Sequence, residues 1–307
     1  MHLRRTVSAM LASAGVVVVV SLAAGQTVVP RDWRRLKVPP TLNSREDRCA
    51  GLADAFWRVE FKGGVLAASR GSSPDPVRDP VPYELDFDRA IDVPPPEPPD
   101  PRTGQRGEDS AVWARRYARE FAARRAVRVS DGWLIGFDGG EYGGSLWWYP
   151  IVAGSGTKLW ERDVQAIEQL GSAGQYVVLS GLDHGDRSGT VLWVSHDRDG
   201  WGVRRRVELD GRVWAYAPHP EGLMIATRTR VSIVVAGGSV KHLVQTPVSA
   251  TPTSLAVSPS GEVAVGRRFF VSLLRPRAES YDEELFIPPA CKRFKAGDFE
   301  CKCQGGA

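Results

Sequence analysis

Asp183-His184-Gly185-Asp186 is the densest run of groups able to do chemistry. Two carboxylates and an imidazole this close could move a proton, but an acid–base site needs a partner placed by another segment. As a calcium loop the run offers Asp183 and Asp186 as candidate ligands, without the bidentate Glu at the spacing such loops use. A polar turn is the simpler reading. His196-Asp-Arg-Asp-Gly200 reads as a turn of the same sort, with Gly200 supplying a positive φ. The sequence holds no Gly-x-Ser-x-Gly, phosphate-binding loop, dinucleotide fingerprint or zinc-protease His pair. No catalytic residue and no cofactor are therefore expected.

The other reactive side chains are the four cysteines, Cys49, Cys291, Cys301 and Cys303. Cys301 and Cys303 point to opposite faces of an extended segment, which disfavours their pairing with each other. Cys49 then bonds Cys301 or Cys303, and Cys291 takes the other. Either way the start of the folded chain is tied to its end, a loop long enough to restrict the unfolded state by about 4–5 kcal/mol. Metal binding through Cys-x-Cys is the rival reading, but no matching Cys or His pair lies nearby.

Composition sets the frame for these groups. Apolar residues make up 42% and charged residues 25%, ordinary for a globular chain with a sizeable core. A net charge of +4 over 307 residues gives no basic footprint for nucleic acid. Arg4 and Arg5 precede an apolar run from Val7 to Ala24, and Ala23-Ala24-Gly25 ends it with small residues. Residues 1–25 read as a secretory signal peptide, which places the protein in the periplasm or medium of a bacterium. An uncleaved N-terminal membrane anchor is the alternative, because the run is just long enough to span a bilayer. With the signal cleaved, no stable membrane span is expected.

The elements that must position everything else follow in order. Residues 26–48 form an irregular lead-in broken by Pro30, Pro39 and Pro40. Residues 49–72 hold a first hairpin, with Phe56–Phe61 and Val65–Ser69 on either side of Lys62-Gly63-Gly64. Residues 73–106 are proline-dense and favour extended conformation. Residues 107–126 read as an amphipathic helix with Trp113, Tyr117 and Phe121 on one face. Its Arg115, Arg116 and Arg119 face elsewhere and form a candidate interaction surface. Residues 127–278 are a β-repeat region, and 279–307 a closing segment that carries three of the cysteines.

Within 127–278 one pattern recurs: a turn ending in Gly, then an apolar β-branched run. It appears as Gly132-Trp-Leu-Ile-Gly-Phe, Gly174-Gln-Tyr-Val-Val-Leu, Gly222-Leu-Met-Ile-Ala-Thr and Gly261-Glu-Val-Ala-Val-Gly. The interval of about 40–50 residues is that of a propeller blade. Adjacent Trp147 and Trp148 point to opposite faces of a strand, which makes Trp148 a further candidate for an interaction surface.

Thr253-Ser-Leu-Ala-Val-Ser-Pro-Ser-Gly-Glu-Val-Ala-Val resembles the innermost strand, turn and second strand of a blade in bacterial WD-repeat-like propellers. Val213-Trp-Ala-Tyr-Ala-Pro-His-Pro-Glu-Gly-Leu-Met-Ile is a looser copy. Gly156-Thr-Lys-Leu-Trp-Glu is similar to a blade end in quinoprotein-type propellers. The Gly-His and Trp-Asp pairs of true WD repeats are absent. The resemblance covers about half the chain and implies an all-β fold of propeller-like antiparallel repeats, four to five blades with one inserted helix. A β-sandwich or split β-domain is the alternative.

Fold alone carries no function. The expected role is an exported binding or scaffold module with a protein or glycan partner. A structural part of an envelope assembly and a glycan- or polymer-acting enzyme are the alternatives. Non-reducing peptide mapping of the exported protein should find Cys49 linked to Cys301 or Cys303; free thiols at all four cysteines would exclude the covalent tie.

Overall fold

The computed structural model describes residues 27–36, 56–71, 123–140, 144–151, 156–171, 174–182, 188–245, 251–267, 270–278 and 280–288. These residues are almost entirely β-strand. A short β1 (Arg34–Leu36) is followed by a hairpin of β2 (Phe56–Lys62) and β3 (Val65–Gly71). The first four-stranded sheet contains β4 (Ala123–Arg128), β5 (Gly132–Asp138), β6 (Gly144–Pro150) and β7 (Thr157–Trp160). The second contains β8 (Val164–Gln169), β9 (Gln175–Leu182), β10 (Ser188–Asp197) and β11 (Gly200–Leu209). The third contains β12 (Ala215–His219), β13 (Gly222–Ala226), β14 (Arg230–Val235) and β15 (Ser239–Gln245). The last contains β16 (Pro252–Val257), β17 (Val263–Arg267), β18 (Val271–Arg277) and β19 (Ser280–Ile287), with β1 added beside β19. Apart from β1, every sheet is an antiparallel meander in chain order, and among the described residues none closes into a barrel. The fold is all-β, in a propeller-like or split β layout. Among the described residues no helix is long and apolar enough to cross a membrane.

The second strand of each sheet explains why its sequence is an unbroken apolar run. A sheet covered on both faces needs apolar residues at even and odd positions alike. In β9, Tyr176 and Val178 pack toward the first sheet, while Val177 and Leu179 pack toward the third. In β13, Leu223 and Ile225 face the second sheet, while Met224 and Ala226 face the last. In β17, Val263 and Val265 face the third sheet, and Ala264 faces the hairpin residues Trp57, Val59 and Leu66. The repeat unit is therefore one layer of a stack, and its core is shared with both neighbours.

Close approach between layers depends on missing side chains. A Cβ at Gly136 would lie 2.3 Å from Val164 Cγ1, and one at Gly266 would lie 2.0 Å from the Trp57 carbonyl oxygen. Both glycines sit near the end of a second strand, where the leading strand of the next layer crosses. Gly200 supplies the expected turn, with φ of 90° between β10 and β11.

Three boundaries differ from those read in the sequence. Residues 123–126, expected at the end of the helix, lie in β4. They pair with β5, and Ala126 and Val127 pack on opposite faces of the sheet, so tertiary packing overrides the helical spacing. The lead-in is not wholly irregular, because Arg34–Leu36 is a strand. The closing segment begins with the fourth strand of the last sheet, in which Arg275–Arg277 pair with Ser280–Asp282. The signal peptide, residues 107–122 of the helix, the proline-dense segment and all four cysteines lie outside the described residues.

Residues 27–36 hold the hairpin to the last sheet. Val28 donates its N–H to Gly64 and accepts from Leu66, at 3.0 and 2.9 Å. Arg34, Arg35 and Leu36 pair with Ile287, Phe286 and Leu285. Between these contacts, Glu262 is 3% exposed and accepts the Thr27 N–H at 2.8 Å, the Thr27 hydroxyl, the Ser260 hydroxyl at 3.0 Å and the Arg275 guanidinium. Burial alone would raise its pKa, but the Thr27 and Ser260 hydrogen bonds and the Arg275 charge together hold it below the usual range. A carboxylate with a depressed folded pKa stabilises the protein above its unfolded pKa and loses that effect as pH falls through the folded one. Glu262→Ala should cost about 3 kcal/mol in urea unfolding at pH 7. The gap from wild type should shrink in acid, and a pH-independent gap would show that the charge is not what holds the segment.

Candidate functional site

The leading strands β4, β8, β12 and β16 lie beside one another, β4 with β8 and β12 with β16. Their polar side chains meet near the strand starts. In β8 the register skips between Val164 and Ala166, which makes Gln165 the extra residue of a β-bulge. A bulge frees the extra residue from the ladder and re-aims its groups. Arg125 of β4 donates Nε–H to the freed Gln165 carbonyl at 3.2 Å, and its Nη2 lies 3.5 Å from the Tyr216 hydroxyl of β12. The Gln165 amide donates from Nε2 to the Gly181 carbonyl at 2.7 Å. That bond fixes which end of the amide is oxygen, and Oε1 is left buried with no hydrogen-bond partner.

The lead into β12 supplies the facing row. Arg212, Trp214 and Tyr216 are half-buried and alternate with buried Val213, Ala215 and Ala217, as one face of an extended segment requires. Arg212 pairs with Asp138 at 2.8 Å. The guanidinium carbons of Arg212 and Arg228 lie 5.3 and 5.5 Å from the centre of the Trp214 ring, within cation–π range. Arg212 Nε and Trp214 Nε1 are buried without hydrogen-bond partners. β16 carries the matching bulge at Thr253, but there Thr253 and Ser254 both donate to the Trp57 carbonyl, at 2.7 and 2.8 Å. Both bulges join layers, and the one at Gln165 also leaves its side-chain Oε1 unspent.

Asp163, just before β8, is 3% exposed. Burial and the nearby Asp138 carboxylate push its pKa up to about 7, against the Gly139 N–H at 3.0 Å and Arg212. Asp163 is too deeply enclosed to touch a substrate as placed. Its geometry fits a lock on the β5–β6 turn, since it takes the Gly139 N–H and its own carbonyl accepts from Gly181.

A cavity of about 540 Å³ lies over the β7–β8 connection, lined by Lys158, Leu159, Trp160, Glu161 and Arg162. The size is that of small-ligand sites. The Arg162 guanidinium lies 5.9 Å from the Trp160 ring centre, and the Trp160 indole N–H donates to Ser180 at 2.9 Å, which fixes the ring.

Of the residues singled out in the sequence, Trp148 is half-buried and packs against the cluster that includes Leu134, Leu146 and Ile167. Asp183, Asp186, Arg115, Arg116, Arg119 and the cysteines lie outside the described residues. Among the described residues no group of three or more His, Cys, Asp or Glu is placed to hold a metal ion. Sequence reasoning missed Arg125, Gln165, Asp163 and Glu262. Only the alternation Arg212-x-Trp214-x-Tyr216 carried a readable signal.

Asp163 gives a signed expectation. Its folded pKa exceeds the unfolded 3.8, so the folded state holds the proton more tightly and stability falls as pH rises from about 4 to about 7. Asp163→Asn keeps an oxygen for Gly139 and removes that slope. The variant should match wild type near pH 4 and exceed it at pH 8, by on the order of 4 kcal/mol at most. Thermal melts at both pH values check this, and a variant less stable at pH 8 would refute the assignment.

No family model and no curated protein matches the chain. Among solved structures it is similar to a protein of unknown function from Bacteroides caccae, at 14% identity over 54% of this chain and 61% of that one, with a TM-score of 0.30. It is also similar to a functionally unknown protein from Desulfotomaculum acetoxidans, at 11% identity over 52% of this chain and 67% of that one, with a TM-score of 0.25. The first match thus spans less than two thirds of its partner's length, and likeness of this size passes neither family nor activity to the chain.

Proposed function

We propose that this chain is an exported binding or scaffold module built on a propeller-like array, and that it takes an anionic ligand in the cavity beside Trp160. The observation that carries the reading is the pairing of a cavity of about 540 Å³ with a fixed indole and, among the described residues, two cations, Lys158 and Arg162, against one carboxylate, Glu161. The net positive charge selects an anion, and the low-dielectric ring beneath strengthens the attraction. Export rests on the sequence of residues 1–25. Stacked sheets supply a rigid frame, and connections such as β7–β8 are where binding groups vary without cost to the core.

Polygalacturonate and poly-glutamate serve as probes of the two anion sources, glycan and protein. At least one should raise the melting temperature of the full exported chain at low salt, and the shift should fade as salt is added. A Lys158→Ala, Arg162→Ala double variant should lose about a tenfold share of that affinity. No shift with either probe, or an equal shift in the double variant, overturns the reading.

A further inference from the structure

A second polar feature, apart from that cavity, points to a ligand of its own. We propose that the row Arg212–Trp214–Tyr216, with Arg125 and Gln165 across from it, binds a short acidic saccharide whose carboxylate sits on Arg125.

Length comes first. Alternate residues of an extended strand lie about 6.7 Å apart, so Arg212 to Tyr216 spans about 13 Å. That matches a short oligosaccharide better than a single small ion. Charge is uneven along the row. Arg212 is balanced by Asp138 at one end. Arg125, at the other, bonds only the neutral Gln165 carbonyl and Tyr216 hydroxyl among the described residues. One uncompensated guanidinium suits the single charge of a carboxylate, which it can grip with two parallel N–H bonds.

Hydrogen bonding then asks for hydroxyls. Gln165 Oε1 lacks a donor, and Trp214 Nε1 and Arg212 Nε lack acceptors. A hydroxyl gives one proton and accepts at its lone pairs, so a polyol serves both kinds of group. These atoms belong to half-buried side chains, and a rotamer change brings them to a ligand. The Gln165 bulge spends its carbonyl on Arg125 but leaves Oε1 over, whereas Thr253 at the matching bulge holds β2.

Calorimetry with trigalacturonate, the neutral trigalactoside and inorganic phosphate tests the site in the full exported chain. Trigalacturonate should bind at least about tenfold tighter than the other two. Arg125→Ala should weaken it by about tenfold or more. Tyr216→Phe, which removes one hydroxyl and leaves the ring, should weaken it severalfold with an unchanged melting temperature. Lys158→Ala, in the separate cavity, should leave this affinity unchanged. Equal binding of phosphate or the neutral sugar, an unaffected Tyr216→Phe protein, or no binding of trigalacturonate overturns the proposal. Loss in Lys158→Ala but not in Tyr216→Phe would instead assign the saccharide to the Trp160 cavity.

Discussion

The carboxylate of Glu262 is the point on which the last two layers depend. A carboxylate this enclosed must be matched by donors, because an unpaired buried charge costs several kcal/mol. It has a backbone N–H and a hydroxyl from Thr27, a hydroxyl from Ser260 and the guanidinium of Arg275. Arg275 also reaches Glu284 at 2.9 Å and the Thr27 carbonyl at 3.3 Å. One short N-terminal stretch is thereby fixed against three strands of the last sheet and against the hairpin. Trp33 against Phe286 and Arg35 against Glu284 extend the same attachment along β19.

Stacking of sheets decides where polar groups can survive. Arg267 is fully buried in β17, with Nε–H donated to Ser272 at 3.1 Å and the Glu283 carboxylate 3.9 Å away. Burial lowers its pKa to about 10, so the guanidinium stays charged at neutral pH. Asp163 lies on the other side of that balance, where burial and the Asp138 carboxylate outweigh its donors and push its pKa up to about 7. The half-buried faces of β8 and the lead into β12 are among the places where polar atoms are neither matched by the fold nor given to solvent. Such atoms in a repeated architecture are informative because the same position in β16 is fully matched.

The layers were legible in the sequence because two signals agree. Gly-led turns recur at blade spacing, and the second strands are apolar without alternation, as burial on both faces demands. The helix end was misplaced because Ala126 and the neighbouring arginines fit a helical stripe as well as they fit β4, and only pairing with β5 decides. Gln165 could not be read as a site residue. A bulge is a difference in register between two strands, and nothing in Val164-Gln165-Ala166 announces it. Glu262 was invisible for a related reason, since its partners Thr27 and Arg275 are far away in the chain. Chemistry that a single segment carries, such as the row from Arg212 to Tyr216, leaves a local trace; chemistry assembled across layers does not.

The added strand β1 has a consequence for how the chain is made. It comes from the part synthesised first, yet its pairing partner β19 is among the last described residues to emerge. The outer edge of the last sheet therefore stays open until the C-terminal strand arrives, and Arg34–Leu36 must remain unpaired until then. Contacts of such long sequence separation slow folding, because loop closure is spent before they form. Exposed strand edges in the meantime invite pairing with other chains. A chaperone would act most usefully in that interval, between the completion of β15 and the docking of β1.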